Sequence, residues 1–500
     1  MKETYTDLIY LRRRVFSEVA KHAFENRDIK DLVHMSYDIL PGEVATYRDS
    51  IFKERAILEE RIRMSMGLNL RRPGEFSLIT DGMENYNMKE VHFELPLVNV
   101  IPFACAACPT KSYYVTDNCR KCLAHPCVNV CPVNAITLKK DRAYIDKEKC
   151  IKCGRCKDAC PYSAVVMYDR PCSSVCGVNA ITSDDLGRAK IIEDKCVSCG
   201  RCMTECPFGA IADKGQIYQV SKSIADGEPN YAIIAPSFVG QFGALATPLQ
   251  IIEAIKKLGF KNVVEVSLGA DITTINEAKE YLHRVPEEIP YMATSCCNSW
   301  WLMVEKNFPT EFKYISDSAS PMVYTAKYIK ELAPEAKITF IGPCISKKLE
   351  AMREDLKGVI DYVITYEELS GMFQAKQIEP SEMEVKSDFK FSSSLGRNYA
   401  VATGVAGAVK ATAEKLDPTR EINIMHADAL SECMKMMKVA KAGKYKGYLL
   451  EGMACPGGCV NGPGCMSTSP RVLKDLKKFV DSAEVYYPTE NYNISHKFEE

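Results

Sequence analysis

The stretch Glu451-Gly-Met-Ala-Cys455-Pro-Gly-Gly-Cys459-Val-Asn-Gly-Pro-Gly464 decides how the chain is read. It sets two cysteines, separated by three residues, among glycines and small side chains, which lets the backbone wrap closely around a bulky inorganic group. A pair of cluster ligands is one reading; a tight turn with two buried thiols is the other. Two further stretches share the layout: Tyr291-Met-Ala-Thr294-Ser-Cys296-Cys297-Asn-Ser-Trp300 and Ile338-Thr-Phe-Ile-Gly-Pro343-Cys344-Ile-Ser-Lys347-Lys-Leu-Glu350. In each, a short apolar run with the pattern of a buried strand stops at a turn carrying cysteine.

In an open α/β sheet, ligands bind in the crevice beyond the carboxyl ends of the strands. Three such strand ends would bring Cys297, Cys344, Cys455 and Cys459 together, the four-thiolate complement of a 4Fe-4S cubane. The three stretches resemble, in order, the signature motifs of the iron-only (FeFe) hydrogenases, TSCCPxW, MPCxxKxxE and ExMxCxxGCxxGG, over about residues 228–465. The resemblance implies that Cys297, Cys344 and Cys455 bind the cubane. Cys459 would bridge it to a diiron unit bearing carbon monoxide, cyanide and a dithiolate amine. It further implies that Cys296 faces the amine as first proton acceptor, that Lys347 and Ser320 hold the cyanides, and that Met453 packs beside the diiron unit. Asn298 stands where the family has Pro, Gly342 and Met322 where Met and Gln are usual, and Pro456 and Pro463 where His and Gly are frequent. These departures are expected to line the diiron pocket, marking a divergent subgroup.

The chain has 500 residues, 64 basic against 65 acidic, and a net charge of −1. It gives no electrostatic footprint for nucleic acid or an anionic membrane. No apolar run reaches the ~18 residues of a membrane span. Arg13-Arg14-Val15-Phe16 resembles the core of a twin-arginine signal, but charged residues follow where an apolar segment is required. An amphipathic helix and a cytoplasmic location are the expectation. Twenty-three cysteines without a secretion signal argue for metal sites over disulfides.

Residues 1–95 hold no cysteine; Leu8, Leu11, Val15 and Val19, then Ile51, Ala56, Leu58 and Ile62, fall at helical spacing among many Arg and Glu. A solvated helical region packing on its neighbour is expected, with a docking module as the alternative.

From Cys105 to Cys206 a motif of cysteine, Pro or Gly, two variable residues, Ala and a β-branched residue recurs at Cys131, Cys160, Cys176 and Cys206. This resembles the bacterial ferredoxin signature. Upstream lie Cys119, Cys122 and Cys127; Cys150, Cys153 and Cys156; Cys196, Cys199 and Cys202; and a split set, Cys105, Cys108 and Cys172. In two-cluster ferredoxins the fourth cysteine of each run ligates the other run's cluster. The resemblance then assigns Cys160 to the set of Cys119, Cys131 to that of Cys150 and Cys176 to that of Cys196. Cys206 joins Cys105, Cys108 and Cys172, giving four 4Fe-4S clusters. Zinc-ribbon pairs are the competing reading of the C-x-x-C spacing.

Beyond Asn230, β-rich runs at Tyr231–Pro236 and Val263–Ser267 alternate with a helical period over Leu249–Leu258, which means a parallel sheet flanked by helices. Residues 391–416 begin small and Gly-rich and continue as a helix. After Asp271, Glu277, Glu280 and Arg284 share one helix face. A solvated charged face would look the same, but the hydrogenase resemblance aligns these three, with Ser316 and Cys296, with a proton-transfer route. Cys433 and Cys465 remain outside these sets.

The expected architecture is a helical region (1–95), an α+β ferredoxin-like four-cluster domain (96–225), and an α/β hydrogenase domain with parallel sheets and two lobes around the cluster (226–470). A tail (471–500) follows. By resemblance, the protein is expected to be an oxidoreductase interconverting dihydrogen with protons and electrons. Its partners would be a one-electron carrier such as ferredoxin and diiron-cluster maturation proteins, with neither nucleic acid nor membrane. A non-catalytic iron-sulfur assembly protein and a hydrogen sensor of the same fold are the alternatives.

Overall fold

The computed structural model describes residues 6–72, 74–83, 93–386, 389 and 391–494; the far ends of the expected first and last regions lie outside them. Helix Asp7–Phe24 starts at Thr6, whose hydroxyl accepts the Ile9 N–H, and buries Val15 and Val19. Helix Ile51–Ser65 departs from the solvated expectation, because Glu54, Arg55, Glu60, Arg61 and Arg63 are all buried. Each of three reaches backbone rather than water. Glu54 accepts N–H bonds from Thr46, Tyr47 and Arg48, Arg55 donates to the Leu40 and Gly42 carbonyls, and Arg63 to those of Asn69 and Ile79. Buried polar groups are tolerable only when bonded in this way, so a charge-rich helix here is an inward-facing one.

The cysteine-rich region is built from antiparallel pairs of very short strands. β1 (Val98–Val100) pairs with β8 (Ile211–Asp213) and closes the region on itself. β2 (Ser112–Val115) pairs with β5 (Val165–Tyr168), β3 (Ile136–Leu138) with β4 (Ala143–Ile145), and β6 (Ile181–Ser183) with β7 (Ala189–Ile191). Such ribbons bury little apolar surface alone. Their centre is instead made of cysteines: Tyr113, Ile136, Ile145 and Val165 pack with Cys119, Cys127, Cys131, Cys150, Cys156 and Cys160.

From Asn230 the chain alternates strand and helix. β9 (Asn230–Ile234), β10 (Asn262–Glu265), β12 (Lys337–Gly342) and β13 (Tyr362–Thr365) form one parallel sheet in the order β10-β9-β12-β13. A second parallel sheet has the order β11-β15-β14, from Met292–Ala293, Tyr448–Met453 and Asn423–Asp428. The three motif-bearing strands therefore belong to two sheets: β12 to the first, β11 and β15 to the second. Helix Pro248–Leu258 carries a capping box between Thr247 and Gln250. The helix expected after Asp271 begins earlier, at Ser267, and runs to Arg284. The described part of 471–494 is packed down: helix Pro470–Asp481 buries Val472, Leu476 and Phe479, and Asn491 reaches the buried Asp271 carboxylate.

Candidate active site and cluster sites

The three motif loops come together. β11 delivers Thr294 to Cys297, β12 delivers Pro343-Cys344, and β15 delivers Cys455. The Gly464 N–H donates to the Pro343 carbonyl at 2.9 Å, tying the third loop to the second. Trp300 fills the space over Gly452 so closely that no side chain fits there, and its indole donates to the Thr294 carbonyl. Gly458, at φ +97°, lies against the Val401-Ala402 backbone, a position only glycine can occupy. Four thiols result that influence one another electrostatically. Burial first, then Cys297, lifts Cys344 to about 11; burial and the thiols of the set raise Cys455 and Cys459 further. None forms a disulfide.

Beside them stands a buried ion pair. Lys347 Nζ donates to Glu350 Oε2 at 2.5 Å and to the Cys296 carbonyl at 3.2 Å, while the Ser320 hydroxyl donates to Glu350 Oε1 at 2.5 Å. Burial works against the lysine's charge, but Glu350, with Cys344 and Cys296 nearby, carries its pKa above the usual value. An ammonium has three donors; these two bonds leave one. Met453 is buried in a cluster with Leu395 and Tyr399 that the side chains of Cys296 and Cys297 join.

Cys296 and Glu277 are near enough to act on each other electrostatically. Burial, then Glu277, pushes the Cys296 thiol well above its ordinary value, so it stays protonated. Glu277 is fully buried; burial lifts its carboxyl to about 7 against two bonds from the Ser295 N–H and hydroxyl, each 2.9 Å. Ser316 donates to Glu280 Oε2 at 2.6 Å, and Arg284 pairs with the same carboxylate and, at 3.4 Å, with the exposed Asp317. Ser316 thus sits with Glu280. It does not bond Glu277, whose Oε2 has no partner among the described residues.

The departures from the family pattern do not all line one pocket. Asn298 donates to the Ser346 carbonyl and hydroxyl, joining the first motif to the second. Gly342 abuts the Phe340 ring, Pro463 packs on Gly200 in a cysteine loop, and Met322 is core, packed with Val323 and Ile272.

The cysteine-rich region repeats its backbone four times. Ala107, Lys121, Lys152 and Ser198, each following the first cysteine of its C-x-x-C by two residues, sit at φ +48°, +47°, +57° and +50°. Asn134, Ser163, Asn179 and Gly209, each three after the isolated cysteine, sit at φ +49°, +49°, +50° and +57°. Such left-handed residues cost about 1–2 kcal/mol each unless glycine. Here each of the latter turns the next N–H onto sulfur: Ala135 to Cys131 at 3.2 Å, Ala164 to Cys160 at 3.4 Å, Ala180 to Cys176 at 3.2 Å and Ala210 to Cys206 at 3.4 Å. All four alanines are buried, which accounts for the invariant Ala within the repeat.

Cys105, Cys108, Cys172 and Cys206 line one small pocket. Cys131, Cys150, Cys153 and Cys156 line another. Cys127, raised by burial, feels Cys160 and Cys119; Cys202, raised by burial, feels Cys199, Cys196 and Cys176. Among the described residues no three His, Cys, Asp or Glu side chains could share one metal ion. Thiols set around voids, too dispersed for a single ion and unpaired as disulfides, suit multi-iron clusters. The sets are linked: Cys202 feels Cys172, Cys199 feels Cys297, and Cys455 feels Cys199.

Several site residues carried no assignment from sequence. Glu350 is signalled only by its i,i+3 spacing from Lys347. Glu451 accepts N–H bonds from Thr403 and Ala406, both 2.7 Å, pinning the start of helix Gly404–Leu416. Tyr399, bonded to Thr274, packs by Cys296 and has no sequence marker. In the first region, Arg48 and Arg61 donate to the Phe208 and Gly209 carbonyls of the Cys206 loop.

Residues 228–463 match the C-terminal domain of the iron-only hydrogenase large subunit; residues 118–164 match a 4Fe-4S dicluster domain and 166–217 an iron-sulfur cluster-binding domain of the LdpA type. Iron hydrogenase 1 of Clostridium pasteurianum is 28% identical over 408 residues, 71% of this chain and 70% of that protein. Cytosolic Fe-S cluster assembly factor NAR1 of Candida dubliniensis is 36% identical over 110 residues, 20% of this chain and 19% of that protein. An apo [FeFe]-hydrogenase variant from Chlamydomonas reinhardtii aligns over 54% of this chain and 88% of its own at 22% identity and a TM-score of 0.46. Residues 228–463 thus belong, in a divergent form, to the iron-only hydrogenase family, matching the C-terminal domain of its large subunits, and are joined on their N-terminal side to iron-sulfur cluster-binding segments.

Proposed function

We propose that the protein is a hydrogenase interconverting dihydrogen with two protons and two electrons. The observation that carries this is half-buried Cys296 with fully buried Glu277 beside four converging thiols: a proton donor and a carboxyl poised near neutrality next to a set of ligand sulfurs. Cys297, Cys344 and Cys455 would hold a cubane, and Cys459 would bridge it to a diiron unit. When bound, that cluster supplies the metal centre at which hydrogen is split or formed.

The chain's own residues hold and move protons. Cys296 Sγ passes a proton to Glu277, and Glu280, steadied by Ser316 and Arg284, passes it on toward exposed Asp317. Lys347, kept charged by Glu350, has a donor left for an anionic ligand, and Ser320 fixes Glu350. Met453 excludes water. Electrons would travel through cubanes on the sets of Cys176 and Cys206, and then through those of Cys160 and Cys131, to a one-electron carrier, a total of roughly twenty irons in five cubanes plus two in the diiron unit. The ranges 1–95, 96–225, 226–470 and 471–500 are the corresponding units. So many ligand thiols suit a reducing cytoplasm, where maturation proteins would insert the diiron unit.

The local likeness to NAR1 supports a second reading, an iron-sulfur assembly protein without the diiron unit. An anaerobic infrared spectrum of the matured protein separates the two. Carbonyl and cyanide bands with viologen-driven hydrogen evolution are expected; their absence in fully reconstituted, matured protein leaves the second reading.

A further inference from the structure

Of the twenty-three cysteines only Cys153 is exposed. It belongs to the set with Cys131, Cys150 and Cys156, and the residues walling the same void open outward with it: Ile151 at 60% and Val133 at 36% exposure, and the Arg155 side chain. Exposed Lys152 lies between Ile151 and Cys153. The stretch Cys119–Cys160 carries ten Lys or Arg against four Asp or Glu, in a chain whose net charge is −1. Two of those acids, Asp141 and Asp146, are already paired with Arg142 and Lys149. Lys152 and Arg155 are left unneutralised around an apolar centre, the arrangement of a protein interface with a polar rim.

We infer that this face is where electrons cross the protein boundary, and that its partner is a small acidic one-electron carrier protein. This rests on the proposed electron path and specifies its outer end: the cubane at Cys131, Cys150, Cys153 and Cys156. In the direction of hydrogen formation, each reduced carrier loses one electron and that cubane gains it. Two such transfers with two protons balance one dihydrogen. Ile151 and Val133 provide the dry contact, and Lys152 and Arg155 steer the acidic partner.

The test mixes reconstituted protein anaerobically with a reduced, acidic two-cluster bacterial ferredoxin and follows bleaching of the cluster absorbance by stopped flow. The Lys152→Glu/Arg155→Glu variant is expected to lose tenfold or more in second-order rate at low salt, steering being worth about 10–10³. The parent's rate should fall as salt rises. The control Lys474→Glu, on the C-terminal helix, should keep the parent rate, and reduced methyl viologen should reduce the double variant at least as fast as the parent. A double variant as fast as the parent with ferredoxin, or a Lys474→Glu variant equally slowed, overturns the inference. Because cluster reduction is read directly, the result stands or falls whether or not the protein makes hydrogen; failure of the hydrogenase reading would show separately, as absent viologen-driven evolution.

Discussion

Glu277→Gln separates a residue held for chemistry from one held for stability. Burial raises the Glu277 carboxyl from 4.5 to about 7, so between those values the folded protein holds a proton that the unfolded chain has released. The folded state is therefore favoured most below pH 4.5, and that contribution is lost as pH rises through 7. At 1.36 kcal/mol per pH unit the loss is about 3 kcal/mol at pH 8. Glutamine keeps an Oε1 acceptor for the Ser295 N–H and hydroxyl and never ionises. The variant should gain up to about 3 kcal/mol over the parent at pH 8 and nothing near pH 4.5. Urea unfolding followed by fluorescence reads this well, since the two tryptophans are Trp300, which ends the first motif, and Trp301, which follows it. Hydrogen turnover should fall by about 10²–10⁴, because an amide cannot relay a proton. A variant less stable than the parent at pH 8 would refute the buried-acid argument, and one turning over at the parent rate would refute the relay.

The adjacent cysteines give a paired test: Cys297→Ala should lose the catalytic cluster, whereas matured Cys296→Ala should keep carbonyl and cyanide infrared bands while turnover falls by about 10²–10⁴. Cys160→Ala should damage the cluster at Cys119, Cys122 and Cys127 first and spare that at Cys150, Cys153 and Cys156; selective labelling with spectroscopy checks this, and the reverse pattern removes the crossed pairing. Glu350→Ala strands the Lys347 ammonium in the interior, and unfolding in urea should show a loss of about 3–5 kcal/mol; Glu350→Gln, which retains an acceptor, should lose less.

What could be read from sequence was whatever depends on local spacing. The C-x-x-C runs, the Cys-Pro-x-x-Ala repeat and the i, i+3, i+7 face of Glu277, Glu280 and Arg284 are properties of consecutive residues, and each reappears as geometry. Sheet membership is not local. That β12 sits between β9 and β13 while β11 pairs with β15 is set by packing over more than a hundred residues, so the pattern of three similar strand-turn stretches does not say which of them share a sheet. Charge misled in the same way: Arg61 and Arg63 are helix-surface residues by pattern, yet their partners are carbonyls of Gly209 and Ile79. Asn298 shows the limit of motif comparison, since a substitution aligned with a pocket position is spent on Ser346.

The group around Lys347 bears most directly on whether this scaffold does chemistry. Holding a cubane needs four thiols and a shell excluding water. It does not need a buried ammonium, and replacing such an ion pair by apolar side chains is often neutral or stabilising. Yet Lys347 is kept charged by Glu350, Glu350 is fixed by Ser320, and the lysine also bonds the carbonyl of Cys296, the residue whose thiol stands next to Glu277. One arrangement thus sets a cation with a donor in reserve and a protonated thiol on the same loop, beside a carboxyl near neutrality. Each of these is costly in a dry interior. Together they supply what an anionic metal group and a travelling proton require, which is why the catalytic reading is preferred to that of a cluster-holding scaffold.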